Sequence, residues 1–209
     1  MKSWIVLALL VLGLSAQAQS PAPVAGSDYI EIPNGRPLEP SDGVIVVEEF
    51  FNYACPACNS FEPNFVAWTQ QLPAYVKVEH VPASFHPAFV QYARAYYAAR
   101  TFGLADKTHQ AVYDAIHRTR VLPGESDRPD EARIAKFYAD FGVKAEEFLA
   151  AMQSFGVDAK VRRAHEHMQR NRIPSTPSIV VNGRYLVRGS SITDMFRIAT
   201  YLIEKEHAG

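Results

Sequence analysis

The sequence predicts an α/β fold in which a mixed sheet is interrupted by an all-helical insertion. Three observations carry this. Apolar strand-like runs at Val44–Phe51 and Tyr75–Pro82 flank a single helical pattern, as a parallel β-α-β unit requires. Strand character returns only near the C-terminus, at Ser178–Val181 and Arg184–Val187, around an Asn182-Gly183 hairpin signal. Between these two groups every apolar pattern is helical.

At the start of the chain, Lys2 precedes an apolar run, Trp4–Leu14, that ends in Ser15-Ala16-Gln17-Ala18. A basic start, a short apolar core and a small-x-small ending describe a secretory signal peptide over residues 1–18, cut after Ala18. The core is short for a membrane span, which leaves an uncleaved anchor as the weaker reading. Export places the cysteines in an oxidising compartment, and the signal's bacterial character makes that compartment the periplasm. Gln19–Gly26, small and Pro-containing, reads as a mobile lead. The formal net charge of −1 gives no reason to expect a nucleic acid or an anionic membrane as partner.

Tyr29–Ile32 alternates and reads as a short edge strand. Turn clusters at Pro33–Pro37 and Glu39–Gly43 lead into Val44–Phe51, which is apolar on both faces and so a buried central strand. The next helix reaches about Leu72, with Phe61, Phe65 and Trp68 inward and Pro63 expected to kink it or remove a hydrogen bond. Five helices follow Tyr75–Pro82. The first opens at His86-Pro87 and stops near Gly103; Asp106 is read as the cap of the second, and Pro129 as the start of the third. Lys144–Phe155 and Val157–Arg172 complete the set. Their Tyr and Phe stripes read as core. Ser191–Glu206 closes the chain as a helix. Without the insertion the order is β-β-α-β then β-β-α, a thioredoxin-like arrangement. The boundaries are 27–84 and 174–207 for the thioredoxin-like part and 85–173 for the helical insertion.

The chemistry lies at Cys55-Pro56-Ala57-Cys58, which holds the only two cysteines of the chain. The motif falls where a strand hands over to a helix. Unpaired N–H groups and the helix dipole there favour a thiolate at Cys55, lowering its pKa and making it both nucleophile and leaving group. Pro56 suits the first helical turn because its missing N–H is not needed there. Two blander readings stand beside redox chemistry. Zinc needs about four ligands, and no second Cys pair or suitable His spacing exists. A structural Cys-x-x-Cys bridge closes too small a loop to stabilise much. Pro177, at the first residue of a strand, cannot donate to the ladder.

Glu49-Phe50-Phe51 before Cys-Pro-x-Cys, the helical insertion, Thr176-Pro177 before Val181-Asn182-Gly183, and the closing helix together resemble the DsbA family of periplasmic thiol oxidases over nearly all of the mature chain. The resemblance implies that Cys55 is the exposed reacting cysteine and Cys58 its shielded partner. It implies that Pro177 is cis and faces the sulfurs, with Thr176, Pro56 and Ala57 meeting a bound peptide, Thr176 through its backbone. It makes Glu49 a buried acid with a raised pKa that handles the proton of Cys58, while Glu48 points to the other side of the strand. No metal or organic cofactor is implied beyond the Cys55–Cys58 disulfide. Substrates would be reduced, unfolded secreted proteins, the re-oxidant a quinone-linked membrane partner of the DsbB kind, and the protein a monomer. Ala57 departs from the His of well-known members, so the expected potential is somewhat less oxidising. A reductase or isomerase is the nearest rival, though the stretch before Cys55 is too short for the separate N-terminal domain of known isomerases. A peptide-binding chaperone module with incidental redox chemistry is the other.

Overall fold

The computed structural model describes residues 21–41 and 43–209; the expected signal peptide at 1–18 lies outside them. Five strands form one sheet in the order β1 (Tyr29–Glu31), β5 (Tyr185–Val187), β4 (Ser178–Val181), β2 (Ile45–Phe51), β3 (Val76–Pro82). β2 and β3 run parallel, with Glu49 beside His80, and the other pairs are antiparallel. The helix α1 (Pro56–Thr69) makes the crossover between β2 and β3. Every residue of β2 is buried, as its two-faced apolar pattern requires.

The two faces of the sheet carry two cores. On one, Val47, Ile179 and Val181 pack with Phe61 and Phe65 of α1 and with Ile198 and Leu202 of α7 (Ile192–Ala208). On the other, Phe50, Val180 and Leu186 join a core that runs through the inserted helices. These are α2 (Pro87–Thr101), α3 (Ala105–Tyr113), α4 (Glu131–Tyr138), α5 (Ala145–Met152) and α6 (Phe155–Arg170). Their Tyr and Phe stripes are core: Tyr92, Tyr113, Ile134, Tyr138 and Phe148 are fully buried.

Several local expectations need correction. Gln19–Gly26 is not a loose lead where it is described: Pro23 is buried, Ala25 bridges Tyr29 and the Val24 carbonyl accepts from Asp28 N–H at 2.9 Å. Asp106 caps nothing. The left-handed Gly103 ends the preceding helix so abruptly that α3 starts at Ala105, leaving Asp106 in the first turn where it still complements the dipole. α4 begins at Glu131 rather than Pro129, because the Asp130 carboxylate accepts from Arg133 N–H and fixes the start there. Phe155 opens α6 instead of ending α5, since Ser154 caps the later helix through Val157 N–H. Pro63 sits inside a continuous α1, on its exposed side. α3 runs directly into a π-helical turn, Asp114–Arg118, which the apolar periodicity did not reveal.

Candidate active site

The turn Asn52–Cys55 carries the chain from β2 into α1. Asn52 organises it: its side-chain N–H groups donate to the carbonyls of Ala83 (2.8 Å) and Phe89 (3.0 Å), and its oxygen accepts from Ala54 N–H. Cys55 N–H donates back to the Asn52 carbonyl at 3.1 Å. Cys55 is thereby the N-cap of α1, with Pro56 at the first helical position, and its Sγ accepts from Cys58 N–H at 3.4 Å. A sulfur here does what a capping Ser or Asp oxygen does elsewhere, so negative charge on it is favoured by the same unpaired donors.

Both cysteines are free thiols. Cys55 is lowered to about 6, foremost by a hydrogen bond with the Cys58 thiol and further by Thr176 and the backbone N–H groups of Cys58 and Ala57, against the opposing effect of burial. Cys58 is pushed far up, chiefly by burial and then by its bond to Cys55. One correction applies to exposure: Cys55 is 7% exposed, hardly an open thiol, although Cys58 at 0% is the more shielded, as expected. Pro56 and Ala57 flank the sulfur on the surface. Across from it the Thr176–Pro177 peptide is cis, and the Thr176 carbonyl lies 3.6 Å from Cys55 Sγ.

Glu49 is fully buried, not solvated. Its Oε2 lies 2.7 Å from His80 Nδ1 on the neighbouring strand, and its Oε1 has no partner. Burial pushes the Glu49 carboxyl up, the bond and charge of His80 oppose this, and the charge of Glu62 adds to it. His80 is drawn down by burial but carried up beyond its ordinary value by the bond to Glu49. The pair therefore holds a proton more tightly than either group would in water. Among the described residues neither sulfur is hydrogen-bonded to Glu49. The group that senses both is Tyr113, whose hydroxyl is buried without a partner and pushed up by burial and by the charges of Glu49 and Cys58.

Sequence reasoning missed His80, Glu62, His109 and Tyr113. His109 Nδ1 meets the Tyr53 hydroxyl at 2.9 Å, its Nε2 faces Glu62 Oε1 at 3.4 Å, and its ring lies 4.6 Å from that of His80. His80 was within reach of the sequence, because the parallel β2–β3 register places it beside Glu49. Glu48 does point away from Glu49, as expected, but it too is buried, against His167 Nε2 at 2.9 Å. Among the described residues no group of three or more His, Cys, Asp or Glu could hold a metal ion, and no helix is long and apolar enough to cross a membrane.

A thioredoxin-type sheet with a dithiol at the head of the first crossover helix, and a cis-proline loop facing it, defines a thiol–disulfide exchange protein. Comparison with known proteins narrows the class. Residues 46–200 match the family model of a DSBA-like thioredoxin domain. The chain is similar to the thiol:disulfide interchange protein DsbA of Pseudomonas aeruginosa (32% identity, covering 100% of this chain and 98% of that one) and to that of Azotobacter vinelandii (33%, covering 96% and 92%). Among solved structures it is similar to oxidoreductase DsbA from Xylella fastidiosa, with 39% identity and a TM-score of 0.86 over 90% of this chain and 100% of the other. The chain belongs to the DsbA family.

Proposed function

We propose that this protein is a periplasmic dithiol oxidase that donates the Cys55–Cys58 disulfide to cysteines of newly exported proteins. A substrate thiolate attacks Cys55 Sγ, the Cys55–Cys58 bond breaks, and Cys58 leaves as a thiolate that takes up a proton. A second substrate thiolate then attacks the substrate sulfur of the mixed disulfide and expels Cys55. Two electrons pass from the substrate dithiol to the cysteine pair, which alone carries the redox change. Of the two protons the substrate gives up, one ends on Cys58 and the other goes to solvent, because Cys55 leaves as a stable thiolate. The observation that supports this direction is the asymmetry of the dithiol. Cys55, lowered to about 6, is a good leaving group at neutral pH, while Cys58, pushed up, recaptures a proton.

In this reading Thr176 offers backbone hydrogen bonds to a substrate strand laid along the Pro177 loop, and Pro56 and Ala57 form the surface beside the reacting sulfur. Glu49 serves the Cys58 proton through the buried polar cluster, not by direct contact. Residues 1–18 act as a cleaved signal, the mature chain is a monomer, and a quinone-linked membrane oxidase of the DsbB kind restores the disulfide. With Ala57 lending no imidazole to the thiolate, the potential lies somewhat below that of the His-containing members; a potential at or above theirs, measured against glutathione, overturns that point.

The test is a reduced two-disulfide substrate mixed with oxidised protein. Activity of the substrate returns with one disulfide formed per equivalent, and Cys55→Ser abolishes the transfer. A protein that only reduces insulin is a reductase instead. One that still binds unfolded chains as Cys55→Ser and oxidises nothing in its native form is a chaperone module.

A further inference from the structure

Tyr53 is gripped at both ends by one helical segment of the insertion. Its hydroxyl meets His109 Nδ1 at 2.9 Å, and its backbone carbonyl lies 2.7 Å from His117 Nε2. A carbonyl only accepts, so His117 carries its proton on Nε2 and donates. Ring and peptide of the residue two before Cys55 are both fixed from α3 and the turn that follows it.

The π-helical turn Asp114–Arg118 is what makes this double grip possible. Eight residues of ideal α-helix advance by about 800°, which would leave His109 and His117 about 80° apart around the axis. A π turn closes i→i+5 bonds at about 4.4 residues per turn and takes roughly 70° off that advance, bringing the two imidazoles onto one face. The turn is itself secured. The Asp114 carbonyl accepts from Thr119 N–H at 2.9 Å, and its carboxylate takes Gln110 Nε2 at 3.1 Å and Arg118 Nη2 at 2.7 Å. Single π turns inside α-helices gather at functional sites; here the extra residue aims an imidazole at the backbone of the redox turn.

We infer that His117 is a positioning residue for Cys55: by pinning the Tyr53–Ala54 peptide from the insertion, it holds Cys55 Sγ in the N-cap position over α1. The path is short. The pinned peptide's N–H, on Ala54, is bound by Asn52 Oδ1, and the Asn52 carbonyl accepts from Cys55 N–H, which sets where Sγ lies relative to Cys58 N–H. Hydrogen bonds to a thiolate weaken steeply as their geometry slackens. Releasing the carbonyl therefore raises the Cys55 pKa without any charge being removed from its contacts. The inference rests on Cys55 being the reactive thiol of the proposed oxidase.

The test compares the wild type with His117→Leu and His117→Gln, following Cys55 by thiolate absorbance and by the pH dependence of alkylation, with thermal melting alongside. Gln places an amide N–H where Nε2–H stood. Leucine is expected to raise the Cys55 pKa by about half to one unit, the weight of one hydrogen bond. Glutamine is expected to restore most of it, and the glutathione equilibrium to move in step. A leucine variant that melts lower but titrates as wild type overturns the inference and leaves the oxidase reading intact. An ordinary thiol titration in the wild type would instead sink the oxidase reading itself. Should leucine prevent folding, 15N NMR of the wild-type imidazole decides: the proton must sit on Nε2, and an Nδ1–H tautomer overturns the inference.

Discussion

A thiol lowered to about 6 against an unfolded value of 9.0 changes both reactivity and stability. In the reduced protein, alkylation should follow one titration near pH 6 and stop at one equivalent, because Cys58 is pushed up and fully buried. Two equivalents, or an inflection near 9, would contradict the capping geometry. The sign of the stability effect follows from the lowered value. A depressed folded pKa contributes stability that is complete above the unfolded value and is lost as pH falls through about 6. Fully realised, the shift would amount to about 4 kcal/mol in the reduced form; solvent screening of a partly buried thiol reduces this to about 1–3 kcal/mol, and the disulfide form has no such thiol. Denaturant titrations of the two forms should therefore diverge between pH 6 and 9, the reduced form gaining. Glu49 and His80 run the other way. Both are raised, so the Glu49 contribution is complete below the ordinary carboxylate range and that of His80 below the ordinary imidazole range, each fading as pH rises through its raised value. The cysteines were legible in the sequence because they lie in a local motif, whereas the cis bond at Pro177 and the burial of Glu49 were legible only through the family resemblance. His80 needed strand register, and His109 and Tyr113 needed the packing of the insertion, which no local pattern encodes.

At the level of elements, α1 combines a function with a defect. Its N-terminus holds the reactive sulfur, yet Pro63 within it removes one N–H that would have bonded the Asn59 carbonyl. The side chain is exposed, so nothing in the core depends on the ring. Pro63→Ala should stabilise the protein by about 1–3 kcal/mol in chemical denaturation while leaving the Cys55 titration unchanged, since the cap lies two turns away. A loss of stability would mean that the proline serves the helix packing. The hairpin tests a different constraint. Gly183 has φ +66, and a Cβ there would meet the Arg36 carbonyl carbon at 2.1 Å, so Gly183→Ala should cost more than about 2 kcal/mol. The Asn182-Gly183 signal was readable because turn chemistry is local. Helix ends were less so. Asp130 and Ser154 set the starts of α4 and α6 by side-chain bonds that compete with equally plausible neighbours, and a single π turn leaves no mark on apolar spacing.

Across the whole molecule, the two carboxylates at the centre of β2 are both buried and face different partners. Glu49 lies with His80 of β3 and near Glu62 of α1, while Glu48 lies against α6 of the insertion. There its Oε1 accepts from Leu38 N–H at 2.7 Å and pairs with His167 Nε2 on α6 at 2.9 Å, and the His167 ring lies stacked on Phe50. One buried carboxylate thus ties the sheet, the β1–β2 connection and the insertion together. Around it a single core runs from Phe50 and Val180 through Tyr92, Ile134 and Phe148. For the proposed division into 27–84 with 174–207 and 85–173, this continuity predicts that the two parts fold as one cooperative unit. Removing one partner of a buried pair strands the other in an apolar site, so His167→Leu should destabilise by about 3 kcal/mol. Glu48→Met together with His167→Leu should recover most of the loss, because the stranded charge is gone. The decisive readout is whether Trp68 fluorescence, from α1, and far-UV circular dichroism, dominated by the inserted helices, shift together. Coincident transitions in the wild type and in both variants fit one unit clasped at Glu48. An insertion that melts first, with Trp68 still native, would mean that the helices are a separable lobe and that the buried pair joins two independent folds.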